Sequence, residues 1–301
     1  MVVQVLGSAA GGGVPQWNCA CRQCDAARSG VLEKRTQCSV TISVDRSRWV
    51  LVNASPDLRS QLMHAGWHTH LRTRRTPIQA VLLSDADLDH TLGLFLMRES
   101  ESPVFVHASA AIIGAVEEGL RLSEVLNRYC GLQWVTPPLS FQALRCGDGK
   151  ESGLEYKAVE IEGPGPRYRK SDHHQSGRLF YVLREPATAR SLLIAPAVAQ
   201  LEPQLLQEAS QADAILFDGT FWSDDDFERS GVSSRLTAEL LRSHLPILSG
   251  SLKTLAAQPA RHKVYLHINN TNPILWDNGP ERQLLDESGI QVATDGMTIE
   301  L

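Results

Sequence analysis

Apolar residues in this chain fall into short runs that alternate with polar stretches. Unbroken runs rich in Val, Ile and Leu predict β-strands, whereas wider apolar spacing behind an N-cap residue or a first-turn proline predicts helices. The predicted strands are Val2–Leu6, Ser39–Val44, Trp49–Val52, Ile78–Leu83, Val104–Val106, Leu179–Leu183, Leu192–Ile194, Ala214–Phe217 and Val264–Leu266. The predicted helices are Leu58–His64, Thr91–Arg98, Ser109–Leu120, Pro203–Ser210 and Pro280–Glu287. Two short strands around Asp295-Gly296 are expected to close the chain, within Ile290–Leu301.

The order of these elements predicts the fold class. Two groups of strands, each followed by helices, indicate an α/β protein in which two mixed β-sheets pack face to face with helices outside. We therefore expect a four-layer αββα sandwich formed by one domain over residues 1–301. A doubly wound parallel sheet is the alternative. The glycine-rich segment Gly7–Gly13 does not support a dinucleotide site, because its spacing is not GxGxxG and Pro15 stands where a helix should begin.

Composition narrows the classes of partner. The chain has 301 residues, of which 43% are hydrophobic and 21% charged, and a formal net charge of -5. No broad basic surface is expected, so nucleic acid is not a predicted partner. No apolar stretch reaches the roughly 20 residues of a membrane-spanning helix, and no basic leader is visible. We expect a cytoplasmic protein that does not insert into a membrane, with an oligomer still open.

Three cysteines lie close together after the glycine-rich segment. Cys19, Cys21 and Cys24 form a CxCxxC pattern that can place three thiolates around a tetrahedral zinc ion. A closed site needs a fourth ligand, for which the segment His267–Asn270 offers candidates, Asn270 among them. The alternatives are a redox pair, which leaves Cys19 without a role, and three reduced surface thiols.

The densest group of metal-ligating side chains follows the strand predicted at Ile78–Leu83. Asp85, Asp87, Asp89 and His90 leave this strand end together as a helix begins. Such a cluster is costly to desolvate unless a cation neutralises it, so we predict a metal site.

These residues resemble the HxHxDH motif of the metallo-β-lactamase superfamily, with Asp85 and Asp87 in the two leading histidine positions. Other elements of the superfamily have counterparts in a loop histidine, a strand-end aspartate and a late strand-end histidine. These are His174, preferred over the adjacent His173, together with Asp218 and His267.

More narrowly, the sequence resembles the family of pyrroloquinoline quinone biosynthesis protein B. The matching segments are Leu6–Cys19, Asn53–Asp57, Asp218–Thr220 and His267–Pro273. The resemblance runs from end to end. It implies the superfamily sandwich, a structural zinc at the cysteine motif, and a place in making a quinone redox cofactor (PQQ) from the Glu and Tyr of a ribosomal peptide.

The two leading aspartates change the metal chemistry that the superfamily motif implies. They weaken a zinc-selective first site, whereas Asp89, His90 and His267 still offer one carboxylate and two imidazoles. This set is typical of non-haem Fe(II), although Zn²⁺, Mn²⁺ or Mg²⁺ could occupy it in crystals. Asp218 is predicted as a fourth ligand or a supporting carboxylate, and these four residues are the predicted catalytic group.

The roles of Asp85 and Asp87 stay open at this point. They could orient ligands, hold a weaker second cation or accept a proton, and acids capping a helix N-terminus explain them equally well. The loop from Gly163 through His174 is a candidate lid. The remaining histidines lack ligand spacing and are predicted to be structural or at the surface. They are His64, His68, His70, His107, His244 and His262.

Three functions follow from these observations. The first is an iron-dependent oxygenase that hydroxylates the tyrosine ring of a Glu-Tyr-derived intermediate, which the family resemblance suggests. The second is a Zn- or Mn-dependent hydrolase of the superfamily. The third is a non-catalytic carrier that binds PQQ or its precursor and aids its transport.

Overall fold

Two seven-stranded sheets make up the centre of the protein. A computed structural model describes residues 1–67, 76–169, 177–232 and 241–301. The first sheet contains β1 (Val2–Gly7), β2 (Ser39–Ser43), β3 (Trp49–Val52), β4 (Ile78–Leu82), β5 (Val104–His107), β6 (Leu132–Val135) and β14 (Thr298–Glu300). The second contains β7 (Gln142–Arg145), β8 (Glu151–Ile161), β9 (Arg178–Glu185), β10 (Arg190–Ala195), β11 (Ala214–Asp218), β12 (His262–Leu266) and β13 (Gln291–Val292).

Both sheets are mixed. The first has the order β14-β1-β2-β3-β4-β5-β6, and the second has the order β13-β12-β11-β10-β9-β8-β7. Strands β14 to β3 pair antiparallel and β3 to β6 pair parallel. In the second sheet β7 to β10 pair antiparallel and β10 to β13 pair parallel. Each sheet therefore has one parallel half, and the carboxyl ends of parallel strands are where loops collect functional side chains.

The core between the sheets follows from the two-residue period of the strands. Along β9, Tyr181 and Leu183 join the apolar cluster that also contains Val3 and Val5 of the first sheet. Phe180 of the same strand belongs to a different cluster on the outer face of the second sheet. The buried Tyr181 hydroxyl donates to the Leu83 carbonyl 2.8 Å away, which ties the end of β4 to the second sheet.

Helices cover the outer faces of both sheets. Ile112 and Val116 pack in the cluster of the first sheet, and Leu205 and Leu285 pack in the outer cluster of the second. The α-helices that lie wholly within the described residues are Arg22–Arg28, Leu58–Ala65, Leu88–Thr91, Ala110–Leu120, Leu122–Leu126, Pro203–Ala209, Asp226–Arg229, Leu252–Ala256 and Pro280–Glu287. Short 3₁₀ segments occupy Leu92–Glu99 and Pro273–Leu275, and Ile247–Ser251 is a π-helical turn. Among the described residues, no helix combines the length and the apolar character needed to cross a bilayer.

The predicted four-layer αββα sandwich is confirmed, and the doubly wound alternative is wrong. Three details differ from the sequence prediction. Strands β6, β7 and β8 occupy the region that looked irregular. The segment Thr91–Arg98 is mostly 3₁₀ rather than α-helical. The two closing strands do not pair with each other, because β13 joins the second sheet beside β12 and β14 joins the first beside β1.

Candidate active site

The site forms where the carboxyl ends of β4, β11 and β12 approach one another across the two sheets. The turn after β4 carries Asp85, Asp87, Asp89 and His90, and His267 directly follows β12. The backbone of His267 has a φ of 60°. This left-handed conformation is uncommon for a residue with a side chain, and such strain persists only where the surrounding structure imposes it.

Asp85 holds the imidazole of His90. Both Asp85 carboxylate oxygens lie 2.7 Å from His90 Nδ1. Burial disfavours the ionised carboxylate, but the adjacent His90 outweighs this effect and lowers the pKa of Asp85 below its ordinary range. Burial likewise opposes the charged imidazole, yet Asp85 and Asp89 raise the pKa of His90 well above its usual value. With Nδ1 used in this way, the opposite ring nitrogen, Nε2, is buried without a hydrogen-bond partner in the described part of the chain.

A buried network fixes Asp85 in turn. The Ser84 hydroxyl donates to Asp85 Oδ2 over 2.8 Å, and the Asp87 backbone N–H donates to Asp85 Oδ1 over 3.0 Å. Asn53 exchanges two hydrogen bonds with Ser84, from its Nδ2 to the Ser84 hydroxyl and from the Ser84 N–H to its Oδ1, each 2.9 Å long. The chain Asn53, Ser84, Asp85 and His90 explains why the first residue of the segment Asn53–Asp57 belongs to the site.

Asp89, His90 and His267 converge at one point. Asp89 Oδ2 lies 3.3 Å from His267 Nε2 and 3.8 Å from His90 Nε2. One ligand atom from each of the three residues lies within 4.8 Å of the other two. Burial raises the pKa of Asp89, but His90 and His267 more than reverse this and bring it to about 2. The unpartnered His90 Nε2 beside an ionised carboxylate and a second imidazole fits a divalent cation.

The glycine-rich segment lies against this cluster. A Cβ added at Gly11 would stand 3.2 Å from Asp89 Oδ2, closer than most real Cβ contacts. Glycine at this position therefore lets the backbone pass beside the carboxylate without displacing it.

Asp87 differs from Asp85 in its surroundings. It is half-buried and lines the cavity in front of the cluster. Burial, together with the negative charges of Asp85 and Asp89, raises the pKa of Asp87 to about 6. The structure thus distinguishes the roles of two aspartates that the sequence left open. Asp85 orients His90 from the side away from the cavity, whereas Asp87 faces the cavity.

Asp218 lies behind His267 and is fully buried. Its Oδ1 accepts from the Thr220 N–H at 3.0 Å and the Thr220 hydroxyl at 2.6 Å. Its Oδ2 accepts from the Val198 N–H at 2.8 Å and lies 2.7 Å from His244 Nδ1. These four contacts use the acceptor positions of a carboxylate, so in this arrangement Asp218 supports its neighbours rather than facing Asp89.

Thr220 connects Asp218 to His267. The Thr220 Oγ1 lies 2.8 Å from His267 Nδ1. Of the acceptors around the Thr220 hydroxyl, Asp218 Oδ1 is nearer, at 2.6 Å, than the His267 carbonyl, at 3.0 Å. We therefore assign the hydroxyl proton to Asp218 and the hydrogen bond from His267 Nδ1–H to Thr220. This assignment leaves Nε2 of His267 as the nitrogen with a free lone pair, facing Asp89.

His244 is a site residue that the sequence analysis missed. Its ring stacks on that of His267 with centroids 5.2 Å apart and an interplanar angle of 21°. Burial lowers the pKa of His244, although Asp218 partly opposes the shift. No local spacing marks this residue, since only the tertiary fold brings it to Asp218. His173 and His174, and with them the last part of the candidate lid, lie outside the described residues.

The three motif cysteines form a second buried cluster. Their Sγ atoms lie within 4.8 Å of one another, and the Asn270 amide nitrogen is 3.2, 3.4 and 3.3 Å from the sulfurs of Cys19, Cys21 and Cys24. Burial and the two neighbouring cysteines raise the pKa of Cys24 to about 12. Three sulfurs this close together are the arrangement that a tetrahedral zinc ion binds and neutralises, so the cluster fits the chemistry of a zinc site.

A cavity of about 920 Å³ opens in front of both clusters. Asp87, Asp89, His90, His244 and His267 line one part, and Cys19 and Asn270 line another. This volume lies at the upper end of the range for small-molecule sites. The geometry therefore indicates a ligand site built around the Asp89 cluster.

Comparison with known proteins agrees with this geometry. The family profile described as the beta-lactamase superfamily domain matches residues 48–268. Coenzyme PQQ synthesis protein B from Methylococcus capsulatus is 38% identical over 308 residues, with all of both chains covered. The chain belongs to the PqqB family. The resemblance inferred from the sequence motifs is thereby confirmed.

Other members of the PqqB family extend the comparison. The protein of this name from Pseudomonas putida is 39% identical over 311 residues and is also covered completely. A crystal structure of Zn²⁺-bound PqqB from Methylobacterium extorquens is 33% identical and superposes over all of both chains with a TM-score of 0.88. PqqB family members are named for the synthesis of coenzyme PQQ, so this pathway is where the function of the site must be sought.

Proposed function

We propose that this member of the PqqB family is a non-haem iron oxygenase that hydroxylates the tyrosine ring of a Glu-Tyr-derived intermediate in PQQ biosynthesis. The observation that carries the proposal is the convergence of Asp89, His90 and His267 at the cavity, where the buried His90 Nε2 has no hydrogen-bond partner within the described ranges. One carboxylate and two imidazoles are the ligand set of non-haem Fe(II) oxygenases. Iron bound there would supply the activation of O₂ that ring hydroxylation requires.

The chain's own residues prepare this site. Asp85 and Thr220 each engage the Nδ1 of one histidine, at 2.7 Å and 2.8 Å, so that both Nε2 atoms are left for a cation. Such supporting hydrogen bonds fix the ring orientation and raise the basicity of the ligand. The cavity of about 920 Å³ leaves room for a dipeptide-sized substrate beside the three ligands.

We further propose that Cys19, Cys21 and Cys24 hold a structural zinc ion, with the Asn270 side chain as the fourth ligand. The burial of the three sulfurs supports this proposal, and so does the Asn270 side-chain amide, whose nitrogen lies 3.2, 3.4 and 3.3 Å from them. As a zinc ligand the amide would be turned over to present its oxygen, because the amide nitrogen only donates. The Zn²⁺-bound PqqB from Methylobacterium extorquens gives it further support.

Anaerobic reconstitution with Fe(II) tests the oxygenase. Because hydroxylation takes one oxygen atom of O₂ into the ring and reduces the other to water, the assay includes a two-electron reductant such as ascorbate. We expect the loaded protein then to consume O₂ in the presence of a Glu-Tyr-type substrate and to place one labelled oxygen atom in the product, detected by mass spectrometry. His90→Ala and His267→Ala should abolish both signals, whereas His64→Ala, an exposed histidine on the helix Leu58–Ala65, should retain them.

The same experiment discriminates among the three functions. Equal turnover with Zn²⁺ in the absence of O₂ would replace the oxygenase with a hydrolase. Binding of the quinone without any chemical change, unaffected by either histidine substitution, would replace it with a carrier.

A further inference from the structure

The cavity combines a concentration of acids with few cations. Asp87 and Asp89 line it, and Asp85 and Asp218 are buried directly behind. Among the described residues that line the cavity, Arg167 and Arg178 carry the fixed positive charges. Apart from a metal ion, these two arginines are therefore the described cationic partners that a carboxylate-bearing ligand could meet in the cavity.

Arg178 is the cation that lies deepest. It is the first residue of β9, and its side chain is almost fully buried, with 2% of the residue exposed. The neighbouring Leu179 N–H donates to the Ser84 carbonyl over 2.6 Å, which places Arg178 beside the turn that carries the acids. The glycine at 163 makes room for it, because a Cβ there would come within 2.5 Å of Arg178 Cδ and 2.9 Å of its Nε.

The guanidinium of Arg178 is incompletely bonded. Its Nη1 donates to the Ser243 carbonyl, and its buried Nε has no hydrogen-bond partner among the described residues. In the part of the chain that the structure describes, no carboxylate oxygen lies within 4.0 Å of the group. A guanidinium has five N–H donors, so one carbonyl leaves most of them unused.

This state is energetically unusual. The negative charges near Arg178 are those of Asp85 and Asp87, which interact with it from beyond hydrogen-bond distance. Buried arginines are ordinarily paired directly with carboxylates or phosphates through two parallel hydrogen bonds. A purely structural connection to the Ser243 carbonyl would not require a charged, forked donor. The missing partner is best explained as an anion that enters from the cavity.

We propose that Arg178 forms a carboxylate-binding subsite of this cavity and selects amino-acid-derived ligands that carry a free carboxylate. The inference rests on the proposed function only for the identity of the ligand, a Glu-Tyr-type compound. In this arrangement the cluster of Asp89, His90 and His267 determines where the reacting part of the ligand lies, and Arg178 fixes one of its carboxylates.

Equilibrium binding tests the subsite without turnover. Calorimetry on zinc-loaded protein compares glutamyl-tyrosine with glutaminyl-tyrosine and glutamyl-tyramine, each of which lacks one of the two carboxylates. In the wild type we expect one of these analogues to bind about 10- to 100-fold more weakly, the effect of losing a charge-assisted hydrogen bond. In Arg178→Gln the same comparison should show no loss, because the partner of that carboxylate is gone.

A matched control and a conservative variant complete the design. Arg184 lies on the same strand as Arg178 but pairs with Glu155, away from the cavity. The Arg184→Gln variant should therefore bind all three ligands as the wild type does. Arg178→Lys should keep part of the discrimination, since it retains the charge but loses the forked geometry. Circular dichroism and thermal melting establish that each variant is folded, and Arg178→Lys serves for the comparison if Arg178→Gln does not fold.

The outcomes separate this inference from the proposed function. Discrimination that persists unchanged in the folded Arg178 variants would overturn the subsite, even if Fe(II) and O₂ support turnover. No measurable binding of glutamyl-tyrosine to the wild type would overturn it as well. Arg178-dependent binding without any oxygen-dependent turnover would leave the subsite in place and remove the oxygenase.

Discussion

Asp85→Asn is the substitution that most directly tests how the site is built. The wild-type carboxylate accepts hydrogen bonds from three donors: the Ser84 hydroxyl at 2.8 Å, the Asp87 N–H at 3.0 Å and His90 Nδ1 at 2.7 Å. An asparagine has nearly the same shape but offers one accepting oxygen, and its NH₂ group donates. Whichever way the amide turns, at least one buried donor faces another donor.

The magnitude follows from this change. A buried donor without an acceptor costs about 1–3 kcal/mol, and replacing the charged acceptor of His90 by a neutral one weakens that bond further. Loss of a residue that orients a metal-binding histidine ordinarily lowers metal affinity by about 10- to 100-fold, or roughly 1.4–2.7 kcal/mol. For a chain of 301 residues, a loss of about 2 kcal/mol in the free energy of unfolding corresponds to a melting temperature lower by about 3 °C.

Two measurements check this prediction. Competition against a chelator gives the dissociation constant of the metal at the Asp89 cluster, and calorimetry gives the melting temperature of the metal-free protein. Asp213→Asn is the matched control, because Asp213 also accepts a backbone N–H, that of Ser191 at 2.9 Å, and lies at the opposite end of β11. An Asp85→Asn protein with wild-type metal affinity would refute the role of Asp85 in orienting His90.

Two further predictions concern the cysteine cluster and a buried histidine away from the site. Cys21→Ser should contain about one zinc ion fewer and melt at a lower temperature, because structural zinc contributes folding free energy; Cys130→Ser, at an isolated cysteine, should lose no zinc in the same metal analysis. Burial lowers the pKa of His107 to about 4, so the unfolded chain, with a histidine pKa near 6.5, takes up the proton first as the pH falls. The free energy of unfolding should therefore decrease from about pH 6.5 to pH 4, by up to about 3 kcal/mol. Urea titrations at several pH values in this range give the free energy of unfolding. We expect a smaller decrease with falling pH in His107→Gln than in the wild type, and an unchanged decrease in the exposed His64→Gln. Equal decreases in the two variants would contradict the lowered pKa of His107.

The strands that were predicted correctly from the sequence are those with several apolar residues close together in the chain. Trp49–Val52 consists of residues buried on both sides, and its predicted bounds are the observed ones. Strand β8 was missed because it contains no unbroken apolar run. Buried and more exposed positions alternate along it, and Ser152 and Ala158, two of the buried ones, are small. The two closing strands were recognised as strands, but which sheet each joins depends on contacts with β12 and β1 that are remote in sequence.

The residues of the site show the same difference between local sequence motifs and tertiary packing. Asp89 and His90 stand in a local motif, and the family resemblance supplied His267, which the structure brings to 3.3 Å from Asp89. His244 and Arg178 have no such motif. Each reaches the cavity through tertiary packing, and each becomes interpretable only once its partners, the Asp218 carboxylate and the Ser243 carbonyl, are known.

The two aspartates at the leading histidine positions show why the residue type matters as much as the position. At position 85 the carboxylate accepts from Ser84, Asp87 and His90 at once, which a neutral imidazole with a single acceptor nitrogen could not do. Position 87 begins the helix Leu88–Thr91, and its carboxylate makes no capping hydrogen bond there. Asp85 thus orients the metal-binding imidazole of His90, whereas Asp87 faces a molecule that enters the cavity. This division explains how a chain that lacks the leading imidazoles still presents two imidazoles and a carboxylate, now with open space in front of them.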